Sequence, residues 1–251
     1  MDAEPLRVIL GAGDQRWAGW IPTQREDLDL LDRSTWLAWF GDRRADALLC
    51  EHVWEHLTEA EGRAAARLCF EFLKSGGFLR VAVPDANFPD PEYQRTVQIG
   101  GPGPADHPAA DHKIVYDHRR FADVFKSAGF TVELLEYCDD GGRFHYHGWD
   151  VTTGPVYRSL LLDHRNREGR LGFVSLILDA RKRRTPGSPY ATPLIAPSSS
   201  RPSRSRVKGR LPSSRPRSPG CRCQCLLPPI SRSDTPFRST CRGLTAATSR
   251  G

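Results

Sequence analysis

The chain has 251 residues, 39% of them hydrophobic and 26% charged, with a formal net charge of +6. That net averages two unlike parts: residues 1–180 carry 20 basic and 29 acidic side chains, whereas 181–251 carry 16 basic ones and Asp234 as their one acid. No stretch reaches the length of an apolar membrane span, nothing resembles a secretory signal, and the seven cysteines do not form a disulfide framework, so a cytoplasmic, reducing setting is expected.

LRVILGAG (6–13) opens the chain with an apolar run ending in Gly-x-Gly, the pattern of a buried parallel strand running into a tight turn. EDLDLL (26–31) is a second short strand candidate, and ADALLC (45–50) a third. Thr58 followed by Glu61 forms a capping box for a helix running through AEGRAAARLCFEFLK, which Gly76 and Gly77 are expected to stop. FLRVAVPD (78–85) reads as a strand, Asp117 as the cap of HRRFADVFKSAG, and TVELLEYC (131–138) and FVSLILDA (173–180) as the last two strands. This order predicts an α/β fold with an open, mostly parallel sheet and helices against both faces. Ligands of such sheets bind beyond the carboxyl ends of the strands, where GAGD, CEHVWEH and PDAN would line one crevice.

Within LLCEHVWEHL (48–57), His52 and His56 make the H-x-x-E-H string of inverted zinc peptidases. Zinc hydrolysis needs both imidazoles on one helical face, yet the capped helix starts only at Thr58, so the histidines are expected in a strand-to-helix loop and no metal is expected. CRCQC (221–225) is dense in thiols but lacks zinc spacing. Cys50, Cys69 and Cys138 lie in or beside apolar segments and read as free core thiols. GAGDQRW also lacks the third glycine of a dinucleotide fingerprint, which weighs against a nicotinamide-dependent oxidoreductase.

Taken together, LRVILGAG, AGWIPT (18–23), DLDLL, ADALLCEHVWEHL, FEFLKSGGFLRVAVPD and FKSAGFTVELLEY resemble the small class I methyltransferases that use S-adenosylmethionine, over about residues 6–180. LKSGG followed by FLRVAVPD is the most specific piece. The resemblance implies a Rossmann-like sheet, with Gly11, Ala12 and Gly13 at the cofactor turn. It implies Asp46 opening the strand before the cofactor loop, Glu51 and His52 within that loop, and Glu55-His56-Leu57 as its ending. Two departures stand out. Residues 14–21 are too few for a full crossover helix, leaving the N-terminal region reduced, and Thr23-Gln24 stand where relatives carry an acid, so the ribose-binding role is expected to pass to Glu26, or Asp29 to serve elsewhere in the cofactor pocket.

Methyl transfer needs alignment and, for a weak nucleophile, a base, for which His52, His56 and His112 are the candidates. The expected activity is methylation of a small molecule or, less favoured, a protein side chain; a binding module that has lost turnover is the alternative. The loop 101–118, which carries His112, could form a substrate lid, and CDDGGRFHYHGWD (138–150) a second substrate wall. The domain is expected to end at residue 181. Residues 182–251, rich in Arg, Ser and Pro, are expected to be disordered and able to contact nucleic acid or another polyanion.

Overall fold

The computed structural model describes residues 4–167 and 170–184, all within the first of the two units into which the chain divides, Met1–Ile195 and Ala196–Gly251. Apart from 182–184, the expected disordered tail lies outside the described residues.

The strands are β1 (Arg7–Leu10), β2 (Ile21–Pro22), β3 (Ala45–Glu51), β4 (Leu73–Pro84), β5 (Thr131–Cys138), β6 (Phe144–Tyr146) and β7 (Ser175–Arg181). They form one seven-stranded sheet in the order β2-β1-β3-β4-β7-β5-β6. β2, β1, β3 and β4 pair in parallel, β7 inserts antiparallel between β4 and β5, and β6 closes the edge as an antiparallel partner of β5. The helices are α1 (Arg33–Phe40), α2 (Glu59–Phe72), α3 (Pro91–Val97) and α4 (His118–Lys126). The α/β, Rossmann-like class is therefore the one that the strand pattern predicts.

The caps follow the sequence. The Thr58–Glu61 capping box forms in full, and Asp117 accepts from Arg119 N and Arg120 N at the start of α4. Three expectations differ. The segment 26–31 is a series of turns, because the Asp27 carboxylate accepts from Gln24 N and that of Asp29 from Leu31 N, holding the backbone in local bonds rather than a ladder. α1 was not foreseen; its signal is Asp32 capping Ser34 N, with Trp36 and Phe40 inward one turn apart. α2 ends at Phe72, and the LKSGG residues belong to β4, where Lys182 caps the helix instead by donating Nζ to Phe70 O and Leu73 O.

The layers differ from expectation as well. α1, α2 and α4 pack on one face, over Val8, Leu10, Leu48, Leu79, Val81 and Leu178. The other face, with Ile9, Ala47, Leu49, Ala82 and Ile177, is covered by the loop tryptophans Trp17 and Trp20 and by Trp149 and Val156. Only seven residues, 14–20, separate the glycine turn from β2, and a crossover that short cannot form a helix on that side. Cys50, Cys69 and Cys138 are buried free thiols.

Charged side chains tie this irregular cover to the sheet. Arg80 and Asp179 face each other across β4 and β7, both buried, with Nε to Oδ1 at 2.7 Å and Nη2 to Oδ2 at 3.0 Å. Arg80 Nη1 also donates to Gly154 O at 2.8 Å, and its guanidinium lies 4.5 Å from the Trp149 ring centre. Glu136 accepts from Trp149 Nε1 at 2.9 Å and from Leu160 N at 2.8 Å. The segment 149–163 is thus pinned by polar groups that project from the middle of apolar strands.

Candidate functional site

The chain runs from β1 to β2 on one side and then crosses to β3 on the other, so the strand order reverses between the parallel neighbours β1 and β3. A cavity of about 940 Å³ opens there, at the carboxyl ends of the two strands. Gly11, Ala12 and Gly13 form one wall, Glu51 and His52 a second, and Tyr157, Arg158 and 162–165 the cover.

The glycine turn is shaped by its neighbours. Gly11 and Gly13 both adopt positive φ (59° and 51°), and a side chain on Gly11 would meet Val53 Cγ2 at 2.9 Å, whereas one on Gly13 would meet nothing within 4 Å. Gln24 clamps the turn in both directions, accepting from Gly13 N at 3.2 Å and donating to Gly13 O at 2.9 Å. Thr23 exchanges backbone bonds with Ile9 and Ala12 beside it. The pair Thr23-Gln24, standing where an acid was expected, therefore holds the turn in shape.

Glu51 is nine-tenths buried and fully engaged. Its carboxylate accepts from Tyr157 N (2.8 Å), Arg158 N (2.9 Å) and Gln15 Nε2 (3.1 Å), while Gln15 also donates to Pro155 O at 2.9 Å. Glu51 thus fastens the cover to the end of β3. Tyr157 is linked across the cavity by its hydroxyl to Arg16 O and by an edge contact to Trp17. On the cover, burial pushes the Asp163 carboxyl up, but hydrogen bonds from Arg165 outweigh it and hold the group below the usual carboxylate range.

His52 lines the cavity with a left-handed backbone (φ 55°), and its Nε2 lies 2.9 Å from Ser175 Oγ. Its Nδ1 is 3.2 Å from Glu55 Oε1, without a directed hydrogen bond between them. His56 and His112 lie outside the cavity lining. His56 Nδ1 meets Asp111 Oδ1 at 2.7 Å, and buried His112 donates Nδ1 to Val97 O at 2.9 Å. Burial holds the His112 imidazole below its usual pKa. Of the three candidate bases, His52 alone reaches the cavity. Residues 54–56 form a single 3-10 turn, so His52 and His56 do not share the helical face that zinc hydrolysis requires.

Glu26 is exposed in a turn, and Asp29 is engaged with Leu31 N and Arg25; neither lines the cavity. Asp46 sits at the opposite end of β3, where it accepts from Leu6 N and Lys74 Nζ, both at 2.7 Å. The stretch 138–150 pairs β6 with β5, and its His145 meets Asp139 and stacks on Tyr137, away from the cavity. The sequence reading missed Asp14, Gln15, Tyr157, Arg158 and Asp163. Their signal was indirect: Arg80 and Asp179 inside apolar strands imply a polar segment packed over that face.

No family model matches the sequence, and no curated protein does. Among solved structures, the chain is similar to an O-methyltransferase family protein from Burkholderia thailandensis (14% identity, 66% of this chain and 36% of that one, TM-score 0.39). It is similar to a SAM-dependent methyltransferase from Archaeoglobus fulgidus (13%, 71% and 87%, TM-score 0.40). It is also similar to human N-acetylserotonin methyltransferase in complex with SAM (10%, 71% and 41%, TM-score 0.39). The chain spans about a third of the Burkholderia protein's length. With TM-scores below 0.5, the chemistry of the cavity is argued from its own residues.

Proposed function

We propose that this cavity binds S-adenosylmethionine and that the protein transfers its methyl group to a small-molecule acceptor. The observation that carries the reading is the position of the cavity, at the β1/β3 reversal and against a glycine turn whose Gly13 faces open space. The residues present fit such a cofactor. Gly11 and Gly13 allow close backbone approach, Trp17 and Tyr157 offer aromatic faces to a purine, and Asp14 supplies an exposed carboxylate for hydroxyl or ammonium groups. Glu26 and Asp29 remain as ribose contacts only if the turns that carry them move toward the cavity.

S-adenosylmethionine, when bound, supplies a methyl group activated by its sulfonium. The protein's part is alignment, exclusion of water and removal of a proton. The cover fastened by Glu51 excludes water from above. His52 takes the proton of the acceptor nucleophile, with Ser175 and Glu55 fixing the imidazole's orientation. A small acceptor is favoured over a protein side chain because Tyr157, Arg158 and 162–165 stand over the cavity and narrow its approach.

Calorimetric titration tests the reading. S-adenosylmethionine or S-adenosylhomocysteine should bind in the micromolar range, about −8 kcal/mol, with no comparable signal from NADH. Preferential binding of NADH would replace the proposal with a nicotinamide-dependent oxidoreductase. Cofactor binding without transfer to any acceptor would favour a binding module that has lost turnover.

A further inference from the structure

Behind the cavity wall lies a second cluster, two of whose members, His56 and His112, take no part in the proposed methyl transfer. Among the described residues, Glu55, His56 and His112 form a group whose potential ligand atoms all lie within 4.8 Å of one another. Glu55 is only 1% exposed, yet neither oxygen of its carboxylate has a hydrogen-bond partner; Oε1 lies 3.2 Å from His52 Nδ1, and Oε2 is left for another ligand. A buried carboxylate is normally paired, hydrogen-bonded or bound to a metal.

The two histidines are arranged to complete the third option. His112 faces the Val97 carbonyl through Nδ1, and a carbonyl only accepts, so Nδ1 carries the proton and Nε2 keeps its lone pair. His56 faces the Asp111 carboxylate through Nδ1 at 2.7 Å, with the same consequence. Metal-binding histidines hold their second ring nitrogen in this way, donating to a carboxylate or a backbone carbonyl. The supporting backbone is tied as well: Lys113 N donates to Glu55 O at 2.8 Å, which joins the 54–56 turn to the loop carrying Asp111 and His112.

We propose that Glu55, His56 and His112 bind one divalent transition-metal ion of the zinc class. Two imidazoles and one carboxylate suit such ions better than magnesium or calcium, which prefer oxygen ligands. Tetrahedral ligation with bonds of roughly 2.0–2.2 Å places ligand atoms about 3.4 Å apart, so the group contracts by up to about 1.4 Å on binding. Three protein ligands leave a fourth position for water or another small donor. The set differs from the peptidase reading of H-x-x-E-H, because the loop's His112 takes the place of His52. The proposal is independent of what the cavity binds.

Full-length protein stripped with a chelator and titrated with Zn²⁺ should take up one equivalent at this site. Glu55→Gln and His112→Ala should each weaken binding at least 100-fold, and Asp111→Asn, at an exposed position, about 10-fold. Substitution with Co²⁺ should give bands of nitrogen and oxygen ligation without thiolate charge transfer, which separates this site from the cysteines of 221–225. An unchanged melting temperature in Asp111→Asn keeps the comparison valid if either core variant fails to fold. Absence of stoichiometric uptake, affinity unmoved by all three changes, or a thiolate spectrum would each overturn the proposal.

Discussion

His52 is the one residue other than glycine with positive φ among those described. An imidazole-bearing residue in that conformation costs about 1–3 kcal/mol, and such strain persists where the surroundings over-determine it. Here Ser175 and Glu55 hold the side chain, while the backbone turns sharply from β3 into the 54–56 turn. The geometry separates a backbone role from a chemical one. Asparagine enters the left-handed region readily, so His52→Asn should keep the turn and remove the base. Turnover with the true acceptor should fall roughly 10²- to 10⁴-fold, while S-adenosylhomocysteine affinity stays within a few-fold. Unchanged turnover would mean that His52 serves only to shape the loop. At this scale the sequence was partly legible: it singled out His52, Glu51 and the glycines, all of which line the cavity. It could not tell that Glu51 is occupied by the backbone of residues more than 100 positions away, since that bond exists only after the cover docks.

The cover itself, 149–163, has little regular structure beyond one 3-10 turn, Val151–Thr153. Its position depends on Arg80, Asp179 and Glu136 rather than on a ladder or a helical face. Removing one partner of a buried ion pair commonly costs about 3–5 kcal/mol, because the other charge is left unpaired. Arg181 Nη2 also reaches Asp179 at 2.7 Å, so Arg80→Met should fall toward the lower figure. Asp179→Leu added to Arg80→Met should recover most of that stability in urea denaturation, since no charge is then stranded. Cofactor affinity should stay reduced in both proteins, because Gly154 O has lost its donor and the cover its anchor. If the double variant binds as well as wild type, the cover does not depend on this pair. Strands and capped helices were legible because periodicity and caps are local. The cover was not, because its determinants are two charges on strands distant in sequence from it.

For the molecule as a whole, the mostly parallel sheet and the crevice at its carboxyl ends followed from the order of apolar runs, whereas the strand order and the helix-free second face did not. Helices were expected on both sides because doubly wound sheets carry them there. The short 14–21 connection was noted as too brief for a helix, but its consequence, a face closed by tryptophans and buried charge, emerges only from packing. That solution makes global stability depend on pH. Burial raises the Glu136 carboxyl from an ordinary value near 4.5 to about 7, against the opposing effect of its hydrogen bonds from Leu160 and Trp149. The folded state therefore holds this proton more tightly than the unfolded chain does. Its contribution to stability is fully present below pH 4.5 and is lost as pH rises to about 7, by roughly 3 kcal/mol at 1.36 kcal/mol per pKa unit. His112, lowered by burial, acts in the opposite sense as pH rises toward its ordinary value near 6.5, so the wild-type profile alone would blur the effect. Comparison with Glu136→Gln isolates it, because the amide is neutral throughout and His112 is common to both proteins. Urea denaturation at pH 4.5, 6 and 8 should show the difference in unfolding free energy moving by about 3 kcal/mol in favour of the variant as pH rises. Parallel profiles would mean that Glu136 titrates in the folded protein as it does in the unfolded chain, and that the 149–163 cover admits enough water to solvate its carboxylate.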